Sequence, residues 1–237
     1  MTAAGLSVIV WARRNTEHLS ACLETVAFAD SVTVVVSSDR ADLIRCAEAA
    51  GVRIEKREAE EDAAETGNWI LSIGDDMRVS PALAAAIGNA VAADEPKVWD
   101  IPVRVAYRGR LLRFGWTAGL SASRGATLER GGSPEQVGRT LPEAIDLVVG
   151  ESVSDFLRWL DTESGFEAEA LRREGSGRSL AETRKAVWRG FAASYLRAGG
   201  WREGRTGLLV AIGAALMPIL SHLKAAGEPE ASSGASA

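Results

Sequence analysis

Only two cysteines, Cys22 and Cys46, and two histidines, His18 and His222, occur among the 237 residues. Two cysteines cannot build a disulfide framework. Both fall on apolar faces of expected helices, so they are expected as reduced thiols of a cytoplasmic protein. The histidines are far apart in dissimilar segments, which speaks against a histidine-built zinc site or a serine–histidine–aspartate triad. No glycine-rich phosphate loop follows the first apolar run, so dinucleotide binding of the GxGxxG type has no support. A basic segment followed by an apolar run and a cleavage site is also missing from the start, so no secretory leader is expected. Positive charge is in deficit, with 27 Lys+Arg against 32 Asp+Glu and a formal net charge of -5. That balance opposes a nucleic-acid polymer as partner, because phosphate contacts need a basic surface.

What is present is ordinary for a globular chain: 46% hydrophobic and 25% charged residues. The charge is unevenly spread. Residues 1–100 carry 9 basic and 17 acidic side chains, whereas residues 101–237 carry 18 and 15. The first hundred residues alternate between strand and helix patterns. Leu6–Trp11 reads as a strand buried on both faces. Thr16 is the expected cap of a helix with Leu19, Cys22, Leu23 and Val26 on one face. Val32–Val36, Val52–Glu55, Trp69–Ile73 and Val98–Val105 read as further strands. A helix follows Ser80-Pro81. Repeated β–α units predict an α/β fold with a mostly parallel sheet and helices on both faces, whose ligands sit beyond the carboxyl ends of the strands.

The segment 107–150 is rich in Gly and Arg and reads as loops with short strands. Helices are expected from Ser152 and over Ser179–Arg197. Thr206–Leu223 then runs 18 residues without Asp, Glu, Lys or Arg. Six basic side chains and one acid occupy residues 184–205 just before it. A basic segment leading into an apolar helix is a membrane-surface signature, so residues 184–223 are expected to dock on a membrane, peripherally on its cytoplasmic face. The expected organisation is an α/β domain over 1–150, a helical membrane-associated region over 151–225, and a disordered tail over 226–237.

The most chemical feature is Ile73-Gly74-Asp75-Asp76-Met77-Arg78, two adjacent carboxylates at the end of an expected parallel strand. Mg²⁺ or Mn²⁺ often binds through one or two carboxylates together with phosphate oxygens, which makes Asp75 and Asp76 the candidate metal ligands.

Two segments carry a specific resemblance. LSVIVWARRNTEHLSACLETV from Leu6 to Val26, and GNWILSIGDDMRVSPAL from Gly67 to Leu83, resemble the first strand–helix unit and the DxD segment of family 2 glycosyltransferases. The similarity is to the GT-A fold and the lipopolysaccharide core glucosyltransferase-like branch. ESVSDFLRWLDTESGFEAEAL and the basic-then-apolar end resemble that branch's carboxyl-terminal part, so the likeness extends over about Leu6–Leu223. It implies a nucleotide-sugar donor, a divalent cation, and a lipid-linked or lipopolysaccharide-core-type acceptor at the membrane. Carried over by position, Arg13, Ser37, Ser38, Asp39 and Asp75 are donor-binding candidates, and Asp76 with Asp75 holds the metal. Arg108, Arg110, Arg113 and Arg124 are candidates for phosphate contacts of donor or acceptor.

The departures are chemical. Val36 stands where the family places an aspartate that accepts from the uracil, with Asp39 or Asp42 as substitutes only if the loop is rearranged. Gly74 replaces the first aspartate of DxD, and Arg13-Arg14-Asn15 replaces Lys-Asn-Glu. Gly115-Trp116 resembles the family's GGW, but no His-Glu pair follows. Glu129, Glu135 and Glu143 are general-base candidates by position only. The residues leave two alternatives: an active sugar transferase, or a catalytically lapsed relative acting as a scaffold or regulator in envelope-glycan assembly.

Overall fold

The computed structural model describes residues 5–37, 40–56, 69–93, 98–115, 126–130, 139–173 and 180–227. The chain divides into two compact units, Met1–Val105 with Arg124–Val148, and Ala106–Ser123 with Val149–Ala237.

The first unit is built on the apolar run expected as a strand. β1 (Leu6–Ala12) is buried along almost its whole length, as a strand covered on both faces must be. It pairs in parallel with β2 (Ser31–Val36) on one side, Val10 opposite Val34. On the other side it pairs in parallel with β4 (Trp69–Gly74), Val10 opposite Ile73. β3 (Arg53–Lys56) extends the sheet beyond β2, also in parallel.

Beyond β4 the direction reverses. β9 (Ala126–Arg130) is antiparallel both to β4 and to β6 (Val98–Ile101), and β10 (Arg139–Thr140) closes that edge in parallel with β6. The seven-stranded order is therefore β10-β6-β9-β4-β1-β2-β3. The result is a mixed α/β domain with a mostly parallel central sheet.

The single strand expected over Val98–Val105 is two. β6 stops at Ile101 and β7 (Val103–Tyr107) begins after Pro102. Proline has no N–H to give a ladder, so a strand breaks there. The Pro102 carbonyl instead accepts from the Ile145 N–H at 2.8 Å, at the start of β11 (Ile145–Gly150). β5 (Met77–Arg78) pairs antiparallel with β11, Met77 opposite Leu147.

Among the described residues three helices belong to this unit: α1 (Thr16–Thr25), α2 (Ala41–Ala49) and α3 (Pro81–Ala93). The cap of α1 is Asn15 rather than Thr16. Its side-chain oxygen accepts from the His18 N–H at 2.8 Å, and its extended backbone sets the helix entry. Ser80 caps α3 as expected, its hydroxyl accepting from the Leu83 N–H at 3.2 Å. Cys22 is fully buried and Cys46 half-buried, both as free thiols.

In the second unit, the last two residues of β7, Ala106 and Tyr107, form a hairpin with β8 (Arg110–Leu111), Tyr107 opposite Arg110. Its two-residue loop, Arg108-Gly109, has positive φ at both positions (55° and 66°), the conformation a type I′ turn demands. α4 (Val153–Arg173) starts with a reciprocal cap, in which the Ser152 hydroxyl accepts from the Asp155 N–H and the Asp155 carboxylate accepts from the Ser152 N–H.

α4 packs against α6 (Arg205–Gly227), which also packs against α5 (Leu180–Ala192). Close approach comes from glycine: a Cβ on Gly213 would lie 2.8 Å from Phe156, and one on Gly190 would run into the carbonyl of Ala214. Phe156 and Trp159 stack with ring centroids 6.0 Å apart and are buried. α6 is the one helix among the described residues long and apolar enough to cross a membrane, but 39% of its most apolar stretch is buried within the fold. Val210, Ala211, Ala214, Met217 and Ser221 face inward, while Leu208, Ile212 and Leu223 are exposed.

Candidate functional site

In the strand order 3-2-1-4, β1 leads to β2 on one side and β4 lies on the other, so the chain direction of winding reverses between β1 and β4. Loops leaving the carboxyl ends of two strands diverge at such a point and leave a crevice, where open α/β sheets bind ligands. Here the two loops are Arg13-Arg14-Asn15 after β1 and Asp75-Asp76 after β4. The sequence expectation that the carboxylates sit at the carboxyl end of a parallel strand is met.

Their environment is tighter than the sequence suggested. Asp75 and Asp76 both have no exposed surface. Asp75 is held by the opposite loop: its Oδ2 accepts from the Arg13 N–H at 3.0 Å and the Arg14 N–H at 2.8 Å, and its own N–H donates to the Trp11 carbonyl at 3.1 Å. Its other oxygen, Oδ1, is buried without a hydrogen-bond partner. Burial, then the neighbouring charge of Asp76, push the Asp75 carboxyl up from 3.8 to about 6, against the two N–H donors and the Arg14 charge. Asp76 Oδ2 lies 3.2 Å from Nη2 of Arg14, with the two side chains 0% and 9% exposed.

Arg40 closes the ring from the β2 side. Its guanidinium donates to the Arg13 carbonyl at 3.3 Å and the Arg14 carbonyl at 2.6 Å, and it also grips Asp42 through both carboxylate oxygens. Asp42, the substitute donor-binding residue by sequence, is thus committed to Arg40, whose hydrogen bond holds its carboxyl below the usual range. Arg78 donates to the carbonyls of Asp75 and Met77. His18, in the first turn of α1, has its pKa lowered by burial and then by the charges of Arg78 and Arg14. Trp11 donates to the Ser72 hydroxyl at 2.8 Å, and the Arg13 guanidinium lies 5.5 Å from its ring centroid.

The other candidates separate. Ser37 is exposed at the end of β2, and Val36 beside it is buried in register with Ala12. Ser38, Asp39, Glu135, Trp116 and Arg124 lie outside the described residues. The structure does not bring Glu129 to the carboxylates. It pairs with Ile70, four residues before Gly74, about 13 Å away at ~3.3 Å per residue. Glu143 is half-buried in the turn before β11, where Leu141 and Ile145 bind the carbonyls of Asp100 and Pro102.

Arg108, Arg110 and Arg113 are exposed on and after the β7–β8 hairpin of the second unit. Gly115 serves packing there: its φ is 84°, its carbonyl accepts from the Ser194 hydroxyl, and a Cβ would lie 3.0 Å from Gly200. Arg14, Arg40 and His18 are the site residues that sequence reasoning missed. The paired arginines directly after β1 were the available signal.

No family model matches the sequence.

Among solved structures, glucosyl-3-phosphoglycerate synthase from Mycobacterium tuberculosis, in complex with Mn²⁺, UDP and glucosyl-3-phosphoglycerate, is similar at 16% identity. The match covers 75% of this chain and 83% of that one, with a TM-score of 0.43. TarS 1–349 from S. aureus in complex with UDP-GlcNAc is similar at 12% identity, covering 95% and 93%, with a TM-score of 0.42. Rv0371c from the M. tuberculosis strain H37Rv, in complex with manganese, is similar at 13% identity, covering 67% and 98%, with a TM-score of 0.36. A UDP-bound glucosyl synthase and a UDP-GlcNAc complex are thus among the structural neighbours of this chain.

A divalent ion does not fit the carboxylates as they stand. Hard cations need several open oxygen ligands, whereas Asp75 offers only its buried Oδ1, its Oδ2 being taken by two backbone donors, and Asp76 faces a guanidinium. Among the described residues no group of three or more His, Cys, Asp or Glu side chains gathers to hold a metal.

Proposed function

We propose that the first unit binds a nucleotide-sugar donor beyond the carboxyl ends of β1 and β4, and that the protein transfers the sugar to a lipid-linked or lipopolysaccharide-core-type acceptor at the cytoplasmic membrane face. The observation that carries this is the placement of Arg13-Arg14 and Asp75-Asp76 at the reversal point of the sheet. The resemblance over Leu6–Val26 and Gly67–Leu83, whose ends form these two loops, supports a GT-A-type donor site. Transfer from such a donor needs the negative charge of the leaving diphosphate to be met by fixed positive groups. Arg13 is only half-buried there and brings such a charge to the strand end. Calorimetry of the full chain against UDP-sugars and other nucleotide sugars tests the proposal. Saturable binding that Arg13→Ala weakens supports it, and no binding by any of them refutes it.

The sealed carboxylates favour a second reading, a catalytically lapsed relative that keeps the fold as a scaffold. It predicts nucleotide-sugar binding without donor hydrolysis or sugar transfer. Turnover lost in Arg13→Ala would exclude it.

Membrane docking is proposed for the second unit and is supported by its surface. Trp188 and Trp201 are 71% and 56% exposed, and Leu196, Leu208 and Ile212 are exposed as well. Arg184, Lys185, Trp188 and Arg189 line a cavity of about 360 Å³. Arg202 stacks on the rings of Phe114 and Trp201 at 5.0 and 5.2 Å. Exposed tryptophans among arginines suit an anionic lipid interface, where each basic group contributes on the order of 1 kcal/mol. Flotation with phosphatidylglycerol vesicles, lost in an Arg184→Ala/Lys185→Ala/Arg189→Ala variant and weak on phosphatidylcholine, is the expected result. Equal flotation of the variant would refute it.

A further inference from the structure

We infer that the Arg14 guanidinium is the resident cation of this strand end, standing where two adjacent carboxylates would otherwise hold a divalent metal, so that a nucleotide diphosphate is bound here without one. The part concerning the diphosphate rests on the donor reading above; the part concerning the metal does not.

Three observations carry it. Nη2 of Arg14 is 3.2 Å from Asp76 Oδ2, and both side chains are withdrawn from solvent. The same residue's backbone N–H binds Asp75, so one residue engages both carboxylates, through its main chain and its side chain. The loop that carries it is fixed from two directions, by the Asp75 acceptor and by Arg40 on the carbonyls of Arg13 and Arg14. Moving the Arg14 side chain aside to admit a metal therefore means breaking a buried ion pair, while the four backbone hydrogen bonds hold the loop that carries it in place.

Charge points the same way. Around Asp75 and Asp76 stand Arg14 and Arg78, while Asp42 is matched by Arg40. His18 is disfavoured from charging by its burial and by Arg78 and Arg14. Asp76 is already paired with Arg14, and a divalent ion set beside that guanidinium would add like charge to a buried site, which is costly. A guanidinium also has what a diphosphate needs: a permanent charge and planar donors that match phosphate oxygens.

The test uses Mn²⁺ as probe on the full chain, read by the electron paramagnetic resonance signal of free Mn²⁺ and by thermal midpoint. Wild type is expected to retain no Mn²⁺ at millimolar concentration, with no change in midpoint. Arg14→Gln, folded by circular dichroism, is expected to melt lower. It should gain a bound Mn²⁺ and a Mn²⁺-dependent rise in midpoint, both lost in Arg14→Gln/Asp76→Asn. Mn²⁺ retained by wild type and lost in Asp76→Asn overturns the inference, as does a folded Arg14→Gln that gains none. If Arg14→Gln does not fold, the wild-type titration decides alone, between no retained Mn²⁺ and retention that Asp76→Asn abolishes. A parallel titration with UDP-glucose in EDTA and in Mn²⁺ is expected to give dissociation constants within about twofold of each other. A tenfold or greater loss in EDTA, on the order of 1.4 kcal/mol, overturns the diphosphate part. If no nucleotide sugar binds at all, the donor reading fails while the Mn²⁺ result stands.

Discussion

Asp75→Asn isolates the cost of a charged carboxylate sealed at the end of β4. Burial and the Asp76 charge move the Asp75 carboxyl from 3.8 to about 6. Between those values the folded chain holds a proton that the unfolded chain releases, so stability falls as pH rises through this window and is level above it. At about 1.4 kcal/mol for each tenfold change in proton affinity, the loss is roughly 3 kcal/mol. Asparagine keeps an oxygen for the N–H groups of Arg13 and Arg14 and removes the charge. Urea denaturation of wild type and Asp75→Asn at intervals from pH 4 to 7.5 measures the effect. The wild-type stability relative to the variant should decline by a few kcal/mol across the window and then hold steady. Parallel curves would show that the carboxyl titrates at its ordinary value and refute a sealed Asp75.

Three further outcomes follow from the packing. Asn15→Ala removes the acceptor for the His18 N–H and should cost about 1 kcal/mol in urea denaturation, with Thr16→Ala close to neutral. Phe156→Ala leaves a cavity beneath Gly213 and should cost about 3–5 kcal/mol, read by the same assay. Gly190→Ala forces α5 away from the Ala214 carbonyl and should cost at least about 1–3 kcal/mol, with a lowered thermal midpoint. A wild-type midpoint in Gly190→Ala would mean that the two helices are not packed so closely.

Much of the first unit was legible because its strands are continuous apolar runs flanked by turn signals. β1, β2 and β4 were found within one residue of each end. β9 was not, because ATLER has no sustained alternation, and it becomes a strand through pairing on both edges with residues far away in sequence. Pro102 interrupts an otherwise continuous β-rich run, whose composition over Val98–Val105 hides the break between β6 and β7. The apolar run in α6 signalled lipid contact, whereas one of its faces is part of the second unit's interior; hydropathy cannot tell a covered face from a lipid-facing one. At the candidate site, carboxylates at a strand end were legible as ligands, but their counter-charge was not. Arg14 lies 62 residues before Asp76, and only the parallel pairing of β1 with β4 brings them together.

β9 also fixes an order of events during synthesis. β4 runs along the middle of the finished sheet, yet one of its two neighbours is not made until residue 130, after the chain has passed through 106–123, which belongs to the other unit. Until then Trp69–Gly74 presents a bare row of backbone donors and acceptors on an apolar strand, a template for pairing with other chains. A nascent or truncated chain ending near residue 115 is therefore the aggregation-prone species of this protein.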